Sequence, residues 1–162
     1  MDGRDTVALL PTGGGKSLCF QVPAMAVEGI CIVISPLVAL MGDQVNALKE
    51  RGIKSLKLTG GISFDELNTL LDNALYGNYK FLYLSPERLQ QEILQNYIKQ
   101  MNVSLIAVDE AHCISQWGND FRPAYRNITL LREIHPLVPI IALTATATPE
   151  VLEDTISELK ME

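Results

Sequence analysis

Cysteine is scarce in this chain: only Cys19, Cys31 and Cys113, far apart and odd in number. That pattern gives neither a disulfide framework nor a zinc-ligand spacing, and it fits thiols held in a reducing, intracellular compartment. Basic charge is also short, with 13 Lys and Arg against 19 Asp and Glu and a net charge of −6. This excludes a polybasic protein that binds nucleic acid by bulk charge, but not one that holds it with a few placed groups. Long hydrophobic runs are missing. The longest uncharged apolar stretch, residues 29–42, is interrupted by Ser35 and Pro36. It falls short of the about 20 apolar residues a spanning helix needs, so no membrane partner is expected. The opening Met1-Asp2-Gly3-Arg4-Asp5 is polar and does not read as a secretory signal. There are no repeats, low-complexity tracts or linkers. What is present is aliphatic: 48% hydrophobic with 20% charged residues excludes global disorder, and 162 residues suit one domain with a real core.

Short β-rich runs alternate with longer helical ones. Strands are predicted at 6–10, 30–35, 54–59, 80–84, 105–109 and 140–144. Several are near-continuous apolar runs, as expected of strands buried on both faces of a parallel sheet. Helices are predicted at 16–26, 37–51, 63–75, 90–100, 123–134 and 149–160. Ser63 followed by Glu66 reads as a capping box, and Pro149 suits a first helical turn. In the helix at 37–51, Leu37, Leu40, Met41, Gln44, Val45 and Leu48 fall near helical spacing and are predicted to form its core face. The alternation implies an α/β fold of βαβ units with helices on both faces of a mostly parallel sheet. Ligands of such folds sit beyond the carboxyl ends of the strands. The turns after residues 10, 35, 109 and 144 are therefore expected to share one edge.

The first of these turns, Pro11-Thr12-Gly13-Gly14-Gly15-Lys16-Ser17, follows an apolar strand and opens a helix. Glycines let consecutive N–H groups point inward around phosphate oxygens, and the helix start adds partial positive charge. Lys16 is predicted to reach the β- and γ-phosphates of a bound nucleotide, and Ser17 to ligate Mg²⁺. Thr12, Gly13, Gly14 and Gly15 would form the cradle. One position departs from the usual loop: Leu10 stands where its first glycine would be.

Asp109 and Glu110 end another apolar strand and begin Asp-Glu-Ala-His. A Mg²⁺ ion keeps several waters and takes one or two carboxylates beside the substrate phosphates, a role suited to Asp109. Glu110 can then act on the attacking water as general base.

The run from Asp109 to Tyr125, with Gln116-Trp117 and Arg122-Pro123 inside it, closely resembles motif II and the aromatic-rich loop of the RecQ DNA helicases. Residues 11–21 resemble their motif I, 35–44 motif Ia, 83–89 the motif Ib region, and 142–147 motif III, in the right order over nearly the whole chain. The resemblance implies a RecA-like P-loop NTPase lobe, residues 1–162, belonging to an ATP-driven 3′-to-5′ DNA helicase. It also implies parts expected elsewhere: an upstream adenine-reading motif, a second RecA-like lobe with an arginine finger, and zinc-binding and winged-helix regions. The lobe alone is expected to bind Mg²⁺-ATP weakly and turn it over slowly.

By the same resemblance, Gln116, Trp117, Phe121 and Arg122 sense single-stranded or junction DNA, through base stacking and phosphate contact. His112 and Gln116 would face the γ-phosphate side or the cleft between lobes. The Ser35-Pro36 turn leads into a helix whose first N–H groups could hold a DNA phosphate. Thr144 and Thr146 would hydrogen-bond the carboxylates of the Asp-Glu-Ala-His turn. Two other readings stay open: an RNA helicase lobe of the Asp-Glu-Ala-His type, and a non-catalytic nucleotide- or protein-binding module.

Overall fold

The computed structural model describes residues 4–10, 16–145 and 147–161. The strands are β1 (Thr6–Leu9), β2 (Ile30–Ile34), β3 (Ser55–Leu58), β4 (Phe81–Leu84), β5 (Val103–Val108) and β6 (Ile140–Thr144). They form one six-stranded sheet in the order β1-β6-β5-β2-β4-β3, with every pairing parallel.

The near-continuous apolar runs have a simple cause. Successive side chains of a strand point to opposite faces, and here both faces are covered. Ile30, Ile32 and Ile34 of β2 enter one core layer, while Cys31 and Val33 enter the other. Leu82 and Leu84 of β4 likewise oppose Phe81 and Tyr83. The second layer is closed by α1 (Leu18–Met25) and α2 (Val38–Glu50), through Phe20, Ala24, Met41, Val45 and Leu48. The first layer takes Leu67 and Leu71 of α3 (Phe64–Tyr76), Leu94 and Ile98 of α4 (Glu92–Gln100), and Leu131 of α5 (Thr129–Ile134). The last helix, α6, spans Pro149–Glu158. Among the described residues no helix is long and apolar enough to cross a membrane.

Caps act where the sequence places them. The Ser63 hydroxyl accepts the Glu66 N–H at 3.2 Å and starts α3. Thr148 does the same for Val151 ahead of Pro149 and starts α6.

Two expectations are corrected. The stretch 123–134 is not one α-helix: Pro123–Ile128 is a 3₁₀ helix that passes into α5. Its buried residues Tyr125, Ile128 and Leu131 recur every three positions, the period that lines up on a 3₁₀ helix. In α2 the inward face is Met41, Val45 and Leu48, whereas Leu37 and Leu40 are 44% and 43% exposed. Those two leucines lie at the start of α2, at the ligand edge, and stay partly in solvent.

β5 carries an irregularity invisible to pattern reading. Ile30 pairs with Val103 but Cys31 pairs with Leu105, so Ser104 is an extra residue and the face parity switches. Gly29 fits against this bulge with a φ of +113°, and a Cβ there would lie 2.5 Å from the Asn102 carbonyl oxygen. Gly29→Ala is therefore expected to destabilise the fold by about 2–3 kcal/mol, read as a lower urea midpoint at unchanged slope. An unchanged midpoint would contradict the close approach.

Candidate active site

Because all strands run parallel, their carboxyl ends form one edge. Backbone hydrogen bonds extend the ladder beyond it: Leu10 N–H donates to the Thr144 carbonyl at 3.0 Å, Ser35 to Leu84 at 3.0 Å and Asp109 to Ile34 at 2.8 Å. Leu10, at the position where a glycine is usual, thus continues the pairing of β1 with β6 and packs against the core. Asp109 follows β5 and Ser35 follows β2, on either side of the point where strand order reverses, the usual ligand crevice of open α/β sheets.

At this edge the Lys16 ammonium bridges both acids. Nζ lies 3.0 Å from Asp109 Oδ1 and 2.9 Å from Glu110 Oε1. Burial works against the Lys16 charge, but the hydrogen bonds to Glu110 and Asp109 outweigh it and hold its pKa above the ordinary lysine value. Lys16 and Ser17 form a turn ahead of α1, which begins two residues later than expected. The predicted cradle residues Thr12, Gly13, Gly14 and Gly15 lie outside the described residues, as does Thr146.

Glu110 has left-handed backbone angles, φ 50° and ψ 44°. Such geometry is uncommon for a residue with a long side chain, and strain of this kind gathers at functional sites. It is held from two sides. Asp109 Oδ1 accepts the Glu110 N–H at 2.9 Å, and the Tyr125 hydroxyl donates to the Asp109 carbonyl at 2.8 Å. Tyr125 is wholly buried, and burial keeps its phenol protonated by raising its pKa. Sequence reading passed over this residue as a site member. Its signal was a buried-type aromatic carrying a polar tip, placed just after the Arg-Pro pair.

His112 is buried against the same turn. Its Nδ1 lies 2.6 Å from Thr144 Oγ1, and its Nε2 lies 3.4 Å from Asp120 Oδ2 and 3.7 Å from Glu110 Oε2. A neutral ring satisfies both sides when Nε2 carries the proton and Nδ1 accepts from the threonine. The expectation for Thr144 is thus amended: its recorded contact runs to the imidazole, which in turn faces the carboxylates. Burial, reinforced by the Glu110 charge, pushes the neighbouring Cys113 thiol up to about 11, so it stays neutral.

The loop after His112 is tied at its base, where Arg122 N–H donates to the Cys113 carbonyl at 2.8 Å. At its tip Trp117 is 77% exposed, which sets aside an ordinary core role. Gln116 and Arg122 are exposed too. Phe121 is half-buried, and the cation over its ring is Arg126, 5.3 Å from the centroid, a residue the sequence reading did not select. Across the crevice Ser35 is buried and its hydroxyl accepts the Leu37 N–H at 3.3 Å. Its side chain therefore shapes the turn with Pro36, while α2 starts without a side-chain cap. Pro36, Leu37, Glu110, His112, Phe121 and Arg122 line one open cavity of about 510 Å³.

The family model of the DEAD/DEAH box helicases matches residues 1–155. The chain belongs to this family. It is similar to the ATP-dependent DNA helicase RecQ of Bacillus subtilis, 49% identical over 98% of this chain and 27% of that protein. It is also similar to the probable ATP-dependent DNA helicase RecS of Bacillus subtilis, 46% identical over 100% of this chain and 32% of that protein. The resemblance to RecQ helicases thus runs along the whole lobe, which spans about a quarter to a third of these relatives' length. Among solved structures, the helicase domain of Pyrococcus furiosus Hef superposes with a TM-score of 0.73 at 26% identity, over 99% of this chain and 34% of that one. The RecA-like α/β reading is borne out.

Proposed function

We propose that this chain is the nucleotide-binding motor lobe of a RecQ-type DNA helicase, coupling ATP hydrolysis to 3′-to-5′ movement along single-stranded DNA and to unwinding in the intact protein. The observation that carries this is the Lys16 bridge to Asp109 and Glu110, closed between residues 93 and 94 positions apart. Support comes from the exposed Trp117 on a loop anchored beside those acids.

The donor set fits Mg²⁺ of the kind that travels with a nucleotide. Among the described residues no cluster of three or more His, Cys, Asp or Glu could cage a metal. One carboxylate, Asp109, and one hydroxyl, Ser17, leave the remaining positions to phosphate oxygens and water, as Mg²⁺ prefers. When bound, the ion would neutralise phosphate charge. Lys16 would turn its ammonium from the acids to the phosphate oxygens. That frees the Glu110 carboxylate to accept a proton from the attacking water. His112, between Glu110 and Thr144, would carry the state of this turn to β6.

On the DNA side, Trp117 would stack on a base, worth about 1–3 kcal/mol. Arg122 and the first N–H groups of α2 would contact phosphates, which carry no sequence information and so suit a motor that moves along any sequence. The place of work would be intracellular, in the cytoplasm and nucleoid or in the nucleus, in DNA repair and recombination at single-stranded and junction DNA. In phosphoryl transfer an arginine finger is worth about 10³–10⁵ in rate, so the lobe without its partner lobe is expected to turn over slowly.

The test is ATP turnover by the full-length protein with single-stranded DNA, single-stranded RNA or neither. Stimulation by DNA well above that by RNA is expected. Preferential stimulation by RNA would transfer the lobe to an RNA motor, and absence of turnover under all three conditions would leave the non-catalytic nucleotide- or protein-binding module.

A further inference from the structure

The core layer between the sheet and the pair α1 and α2 is mostly apolar, yet a tyrosine hydroxyl is buried in it. Tyr83 of β4 is 1% exposed and packs edge-on against Phe20 and at a tilt against Phe81, with ring centroids 6.4 and 6.3 Å away. Its hydroxyl donates to Gln44 Oε1 at 2.7 Å and accepts from Gln21 Nε2 at 3.0 Å. Gln21 lies in α1 and Gln44 in α2. One phenol therefore links the two helices by side-chain hydrogen bonds.

Both helices begin at the ligand edge. Gln21 N–H donates to the Ser17 carbonyl at 3.0 Å, one turn from the Lys16 bridge. The helix of Gln44 begins after the Ser35-Pro36-Leu37 turn on the DNA side. We propose that Tyr83 is a positioning residue whose hydroxyl fixes the register of α1 against α2 and so couples nucleotide state to DNA engagement. This rests on the motor reading above.

Apolar contact through Met41, Val45 and Leu48 is non-directional and permits a helix to slide, whereas a buried hydrogen bond has one good geometry. The layer already accommodates Phe20 and Phe81, so a phenylalanine ring would fill the space of Tyr83 equally well. Packing alone does not require the hydroxyl. Burial raises the phenol's pKa, and the group remains a donor throughout the working range.

The experiment is Tyr83→Phe in the full-length protein. Basal ATP turnover and nucleotide-free DNA affinity are expected to stay near those of the parent. Stimulation of turnover by single-stranded DNA should fall by about fivefold or more, within the usual span of coupling between sites. By linkage, the change in DNA affinity caused by a non-hydrolysable ATP analogue should shrink in parallel. If Tyr83→Phe unfolds the protein, Gln44→Leu breaks the same link from the other helix and is expected to give the same losses. A folded variant that keeps both the stimulation and the affinity change overturns the proposal. A parent protein that DNA does not stimulate overturns the motor reading itself, and this inference with it.

Discussion

Replacing Lys16 with alanine is expected to abolish measurable ATP binding by this chain and, in the full-length protein, to cut turnover by about 10²–10³-fold or more. Lys16 is the cation that the structure places between Asp109 and Glu110, at 3.0 and 2.9 Å. Its loss leaves two adjacent carboxylates facing the position a triphosphate would take, so like charge repels like. The fold should survive. Lys16 belongs to neither core layer, and its side chain keeps 16% of its surface in solvent. Calorimetric titration with an ATP analogue, beside a thermal melt, separates the two effects. An unchanged affinity at an unchanged melting temperature would remove Lys16 from the site.

Glu110→Gln is expected to behave differently. Nucleotide should still bind, because Lys16 and the turn ahead of α1 are untouched and the amide oxygen can still accept the Lys16 proton donor. Hydrolysis should fall by about 10²–10⁴-fold, the usual worth of a general base. The substitution is nearly isosteric, and it leaves the backbone clamp in place, from Asp109 Oδ1 to the Glu110 N–H and from Tyr125 to the Asp109 carbonyl. Single-turnover hydrolysis beside equilibrium binding makes the distinction. If turnover stays within about tenfold of the parent, the base lies elsewhere.

The convergence behind both predictions was legible before any coordinates. Apolar strands buried on both faces imply a parallel sheet, and a parallel sheet brings the residues after Leu10, Ser35, Asp109 and Thr144 to one edge. Strand order was not legible, because β2, β4 and β6 are buried along their whole length and any neighbour satisfies them. The Ser104 bulge and the φ of Gly29 escaped notice because they arise from pairing, not from the local run. In α2, helical spacing pointed Leu37 and Leu40 inward, but spacing cannot say where the covering layer stops. The left-handed Glu110 had no sequence signal at all. Its strain is carried by Tyr125, which comes from a separate element. Tyr83 had one that was easy to discount, since tyrosine in a strand usually reads as bulk.

Trp117 has one further consequence. It is the sole tryptophan among 162 residues, and it projects from the tip of a loop whose base is tied at Cys113 and Arg122. Indole emission from this chain therefore comes from that loop alone. Its colour reads the wetness of one surface, and its quenching reads what settles on it, so the protein carries its own optical probe at the place where base and ring would meet.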